Sequence, residues 1–120
     1  FSEGDEPAAL LGTDLAPNAA ESALHALGSC LSVTYAYHAA AMGLDIQSLS
    51  FQFETDTDLR GFMELDKKVR PGLSQIRLKV NLACSGTPEQ VKELHAKVQR
   101  TSPLLDTFRN PVAVKIQTTH

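Results

Sequence analysis

From Ser22 to Leu44 the chain carries no Asp, Glu, Lys or Arg, and alanine is the commonest residue of the stretch. Apolar or small residues recur at Ala20, Ala23, Leu24, Leu27, Leu31, Thr34, Tyr35 and His38, the spacing of a buried helical stripe. The pattern predicts one long helix from Asn18 to Gly43. Asn18 would be its N-cap, Glu21 the second half of a capping box, and Gly43 the left-handed stop. Ala19, Ala26, Val33, Ala36, Ala39, Ala40 and Ala41 fall on other sides and leave almost no face for water. A helix apolar all round must be covered on nearly every side. The rest of the chain offers one short sheet and two later helices for that purpose. A homodimer with this helix in its interior is therefore expected, since a two-fold pairing reuses one patch on both copies.

At about 100° per residue, Cys30 falls between Leu27 and Thr34 on the stripe, with Tyr37 on its side of the helix. A free cysteine so placed reads first as a small buried hydrophobe. If it is instead a nucleophile, it must be ionised, and an unperturbed thiol near pKa ~8.5 is mostly protonated at neutral pH. Cys30 sits mid-helix, so a cation would have to come from elsewhere; Arg60 and Arg70 are the loop candidates. His25 lies about 140° from Cys30 around the helix and His38 about 80°, so only His38 qualifies as a neighbour.

Composition narrows the function classes. A chain of 120 residues, 42% apolar, suits a single domain over residues 1–120. The net charge of −3 gives no case for nucleic acid or a membrane surface. Residues 1–59 hold nine acids and no Lys or Arg, whereas the remainder holds all eleven basic residues and five acids. The two parts thus carry −9 and +6, which favours pairing within or between chains. Two cysteines make no disulfide framework, so a reducing cytoplasm is the expected compartment. No run approaches the roughly 20 apolar residues of a membrane span. Four scattered histidines without ligand spacing predict no metal, and nothing predicts a cofactor.

In chain order, residues 1–17 are acidic and Gly/Pro-containing, with Ala8–Leu11 as the end of a strand before a turn at Gly12–Asp14. Asp45–Asp58 alternates, with Leu49, Phe51 and Phe53 on one face. Leu59–Gly72 reads as a loop with a short helical turn. Ser74–Cys84 alternates again, placing Ile76, Leu78, Val80, Leu82 and Cys84 inward. Thr87-Pro88-Glu89-Gln90 opens a helix that runs to about Arg100. Ser102-Pro103 opens a shorter one, which Asn110-Pro111 ends. Val112, Val114 and Ile116 make a last strand. Consecutive strands joined by a short connection pair antiparallel, so the class is α+β.

Pro17-Asn18-Ala19-Ala20-Glu21, then Ala26-Leu27-Gly28-Ser29-Cys30, resembles the signature of the OsmC/Ohr family of thiol peroxidases. Val98-Gln99-Arg100-Thr101-Ser102-Pro103 before Asn110-Pro111-Val112 is similar too, and Asp58-Leu59-Arg60-Gly61 resembles a loop of OsmC-like members. The resemblance covers nearly the whole chain. It implies an intertwined homodimer, with the cysteine helix and a second helix packed on antiparallel sheet and two sites at the interface. It implies that Cys30 attacks an organic hydroperoxide, in an oxidative-stress response, with Glu21 at the position of the helix-start acid that activates it. Ser102 stands where the family has its second cysteine and cannot form a disulfide. No Arg precedes Cys30, so the N-terminal strands that carry the family's activating Arg are expected to be missing from this sequence. Tyr37, His38 and Arg60 are further candidate site neighbours.

Beside these roles each residue has a plainer one: Glu21 as an N-terminal capping acid, Ser102 as an N-cap, Tyr37 as packing, Arg60 as a solvated loop cation, Cys84 as core. Two functions result. One is hydroperoxide reduction through a single cysteine, with a small-molecule or protein thiol as reductant. The other is a non-catalytic dimeric module that binds a small apolar ligand.

Overall fold

The computed structural model describes residues 15–119, with side chains from residue 19 onward. The chain order is α1 (Leu15–Ala41), β1 (Ile46–Thr57), α2 (Leu59–Phe62), β2 (Leu73–Cys84), α3 (Pro88–Thr101) and α4 (Pro103–Arg109). The class is α+β, as expected. The strand end expected at Ala8–Leu11 and the turn at Gly12–Asp14 lie outside the described residues.

The long helix begins at Leu15 rather than at the expected Asn18 cap. Pro17 does not delay the start, because the first-turn amides have no intrahelical acceptor and a proline there loses nothing. Asn18 and Glu21 therefore both lie inside the helix rather than at its expected start. The other end is as read. Gly43 takes φ +74°, its amide donates to the Ala40 carbonyl at 3.1 Å, and the Leu44 amide reaches back to Ala39 at 2.8 Å. That pair of bonds, with Leu44 and Ala39 both buried beneath it, is a Schellman stop.

β1 and β2 form an antiparallel pair with Phe51 opposite Val80 and Phe53 opposite Leu78. The register slips between Ile46 and Ser48 and again between Asp56 and Thr57. α1 lies across the apolar face of this pair, and α3 and α4 pack against α1. Leu27, Leu31, Tyr35, Ala39, Leu44, Leu94 and Val98 are the buried centre; Phe51, Phe53, Leu78, Val80, Leu104 and Leu105 close around it, half-buried. Ala39, expected on a face for a partner, is 2% exposed within the chain. The side of α1 away from this core stays open: Ala26, Ala36 and Ala40 are exposed, Val33 is 70% exposed and Tyr37 69%.

α3 starts with the expected box: Gln90 donates its amide to Thr87 Oγ1 at 3.1 Å, and the Gln90 side chain accepts from the Thr87 amide at 2.9 Å. Val112, Val114 and Ile116 correct the sequence reading. They belong to no sheet and are 62%, 73% and 81% exposed. Alternating apolar residues make a strand only when an edge is there to complete the ladder, and among the described residues this segment pairs with none.

The Asp58-Leu59-Arg60-Gly61 loop has a local physical account. Asp58 caps α2 by accepting from the Arg60 amide at 3.0 Å, and its carboxylate binds the Arg60 guanidinium at 2.6 Å. Gly61 passes so close to the following loop that a Cβ there would lie 2.5 Å from the Arg70 carbonyl oxygen. The Arg60 side-chain bonds, then its amide, hold Asp58 at about 2, against an ordinary 3.8. A carboxylate depressed in this way stabilises the fold above its unfolded value, and the contribution is lost as pH falls through about 2. A carbon-detected NMR titration should place the Asp58 midpoint near 2 and move it upward in Arg60→Ala. An ordinary midpoint in the wild-type protein would contradict the pairing.

Candidate active site

Cys30 lies one turn from Leu27 and beside Leu31, so the core holds its backbone while its side chain turns toward the junction of α3 and α4. There its Sγ sits 3.4 Å from Ser102 Oγ, across 72 residues of sequence. The thiol is half-buried, whereas Ser102 is 1% exposed. The sequence explains why the junction is shaped this way. Ser102 ends α3 and caps α4 at once: its amide donates to Val98 at 3.0 Å, and its Oγ accepts from the Leu105 amide at 3.3 Å. Pro103 then fixes the first turn of α4.

Burial works against ionising Cys30, but the hydroxyl of Ser102, the amide of Leu104 and, last, the hydroxyl of Thr34 outweigh it and lower its pKa from the ordinary thiol value. Thr34 has one proton, and at 2.8 Å that proton goes to the Cys30 carbonyl. Its help to the sulfur is therefore minor, and Ser102 and Leu104 are the principal donors. Hydrogen bonds to the charged form are one of the three ways a protein shifts a pKa, and here they stand in for a cation.

The remaining candidates are distributed unevenly. His38 lies two turns beyond Cys30 and donates Nε2–H to Thr101 Oγ1 at 2.9 Å, because the Thr101 proton is already given to the Lys97 carbonyl at 2.7 Å. His38 thus pairs with the residue preceding Ser102 and does not reach the thiol. Tyr37 stacks edge-on against His38 at 5.1 Å and faces solvent. Arg60 is committed to Asp58, with Asp66 at 3.9 Å. Glu21 is nine residues before Cys30, about 13 Å along the helix and on its opposite side. It lines a separate hollow of about 610 Å³ with Leu24, Thr57, Phe62 and Leu73. Within one chain the structure brings Cys30 and Ser102 together and keeps Glu21, Tyr37 and Arg60 apart from them.

Two further groups, Thr34 and Tyr35, were not singled out as site residues by sequence reasoning, and Arg70 entered it only as a candidate loop cation. Thr34, at four residues from Cys30, follows the usual habit of a helical hydroxyl bonding back one turn and was in principle legible. Arg70, the other loop cation, lines a cleft of about 570 Å³ with Leu27, Leu31, Leu78, Phe108 and Arg109. Tyr35, buried beside that cleft, holds its hydroxyl 2.6 Å from His95 Nδ1, and burial raises its pKa. Nothing local in the sequence links Tyr35 to His95. Among the described residues no group of three or more His, Cys, Asp or Glu is placed to hold a metal ion. No helix among them is long and apolar enough to cross a membrane.

The family profile described as OsmC-like protein matches residues 12–117. No curated protein matches the chain. Among solved structures, the fold is similar to the crystal structure of an OsmC-like protein from Mycoplasma pneumoniae, with a TM-score of 0.65 at 19% identity. That match covers 75% of this chain and 60% of the other, so the chain spans less than two thirds of that protein's length.

Proposed function

The chain belongs to the OsmC-like protein family, and from that premise we propose that it reduces organic hydroperoxides through Cys30 alone, with an external thiol as reductant. The observation that supports this reading most is the convergence of Ser102 and Leu104 on the Cys30 sulfur, which favours the thiolate. The thiolate attacks the terminal peroxide oxygen. An S–O bond forms, the O–O bond breaks, and the alkoxide takes up a proton and leaves as alcohol. Cys30 is left as a sulfenic acid, oxidised by two electrons. At the family's second-cysteine position the nearest neighbour is the oxygen of Ser102, which cannot become a disulfide partner. A thiol from outside, small molecule or protein, then displaces hydroxide as water and forms a mixed disulfide. A second such thiol releases Cys30 and leaves as the disulfide.

The working unit we propose is an intertwined homodimer in the cytoplasm. Its support is the open alanine face of α1 with exposed Val33 and Tyr37, and the exposed apolar segment at Val112, Val114 and Ile116, which joins no sheet among the described residues. At about 25 cal/mol per Å², a few hundred Å² of such surface left wet forfeits several kcal/mol. Glu21, remote from Cys30 along its own helix, enters a site only through this pairing, and Arg70 and Arg109 are cations lining the cleft beside the cysteine helix. A second reading, a non-catalytic module binding a small apolar molecule, draws on that same cleft between α1, β2 and α4.

Oxidation chemistry separates the two. After treatment with an organic hydroperoxide, intact-mass analysis should find one added oxygen on Cys30, trapped by dimedone, and no loss of hydrogens from a Cys30–Cys84 disulfide. Cys84 is on the far strand, its Sγ donating to the Ser85 carbonyl at 3.2 Å. An unmodified Cys30, or a disulfide mapped to Cys84, would refute the single-cysteine route.

A further inference from the structure

Ser102 is the most deeply buried hydroxyl near the thiol, at 1% exposure, and its bonding can be counted completely. Its oxygen accepts the Leu105 amide proton at 3.3 Å, which uses an acceptor position and leaves its own proton to place. Buried hydroxyl protons are rarely left without an acceptor, because a missing bond costs the full desolvation of the group. The acceptor within reach is Cys30 Sγ at 3.4 Å, a usual distance for an oxygen donor on sulfur. Neutral thiols are poor acceptors and thiolates good ones, so the arrangement discriminates between the two states of Cys30.

We propose that Ser102 is a positioning residue for Cys30, its capped and buried hydroxyl donating to the sulfur and so holding the thiolate ready. The same side chain serves both ends of one arrangement. As the cap of α4 it cannot rotate away, because turning its oxygen from Leu105 would leave that amide without a partner. The reactive state of the thiol is thereby tied to the folding of the α3–α4 junction rather than to a neighbouring cation. This deepens the reading of Cys30 as the reactive thiol, but its test does not depend on peroxide turnover.

The experiment is the pH profile of Cys30 alkylation by iodoacetamide, measured in a Cys84→Ser background so that one thiol reports. Ser102→Gly removes the hydroxyl and, as glycine is a tolerated N-cap, sacrifices little of α4. Its alkylation midpoint should move to higher pH, with the rate at neutral pH falling several-fold, up to about tenfold for a shift of one unit. Ser102→Thr, which keeps the hydroxyl, should restore the wild-type profile. A purely structural cap would alter neither midpoint. An unchanged profile in a Ser102→Gly protein with wild-type circular dichroism would overturn the proposal. Should that variant not fold, NMR of the wild-type protein decides: the buried Ser102 hydroxyl proton should be observable and should shift as Cys30 ionises. A hydroxyl resonance indifferent to the titration of Cys30 would overturn it equally. If the profile depends on Ser102 while no hydroperoxide is consumed, the proposed enzymatic function fails and this inference stands.

Discussion

Replacing Val33 with glutamate should split the proposed dimer. Val33 is 70% exposed on the side of α1 opposite its core, between Ala26, Ala36 and Ala40. In the proposed dimer a carboxylate there would be buried without a partner, and burying an unpaired charge costs several kcal/mol. Light scattering at micromolar concentration should report about twice the 13.0 kDa of one chain for the wild-type protein. The Val33→Glu protein should report the single chain and bind a hydrophobic dye through its bared helix. Ala39→Glu would be a poor substitute, because Ala39 is packed beneath the Schellman stop and its replacement would unfold the monomer as well. A dye-silent wild-type monomer, or a Val33→Glu dimer of unaltered dissociation constant, would refute the interface.

Leu94→Ala should be the most damaging simple truncation in the intrachain core. Leu94 is 0% exposed and belongs to the cluster in which α3 meets α1, with Leu27, Leu31, Tyr35 and Val98. A buried leucine cut to alanine loses about 2–5 kcal/mol, part transfer and part cavity. Against a typical stability of about 5–15 kcal/mol this is a large fraction. Urea denaturation should show a midpoint shift of that size with little change of slope. The loss should be of similar size at high and low protein concentration, unlike that of Val33→Glu, which acts on association. A cost below about 1 kcal/mol would mean that α3 is not seated on α1 as described.

Much of this architecture is written in local chemistry. The Thr87–Gln90 box, the Ser102-Pro103 start, the Gly43 stop and the two alternating strands each depend on residues within a few positions of one another, and each stands where the pattern puts it. The errors arise where the outcome depends on something distant. Asn18 reads as a cap until it is seen that Pro17 is harmless in a first turn that starts at Leu15. Val112, Val114 and Ile116 have the alternation of a strand but not the edge that would make them one. Ala39 belongs to the all-round alanine pattern, and only the packing of Leu44 beneath the helix end assigns it to the core.

The site divides in the same way. Cys30 is legible from its place on a helical stripe, and Ser102 as a cap from its proline. Their contact across 72 residues is a product of the fold that only the family resemblance anticipated. The Tyr35–His95 bond had no such guide. Glu21 illustrates the converse: its identity fits the family position, yet helix geometry puts it about 13 Å along the axis from Cys30 and on the opposite side of the helix. Chemistry that needs two residues from separate elements is not visible in either element alone.

The central claim is that Cys30 is the reacting group and needs no second cysteine. Consumption of an organic hydroperoxide in the presence of a dithiol reductant, compared among wild type, Cys30→Ser and Cys84→Ser, tests it most directly. Turnover is expected in the wild type and undiminished in Cys84→Ser, with background consumption alone in Cys30→Ser. Equal consumption in the two variants, or loss in Cys84→Ser, would contradict it.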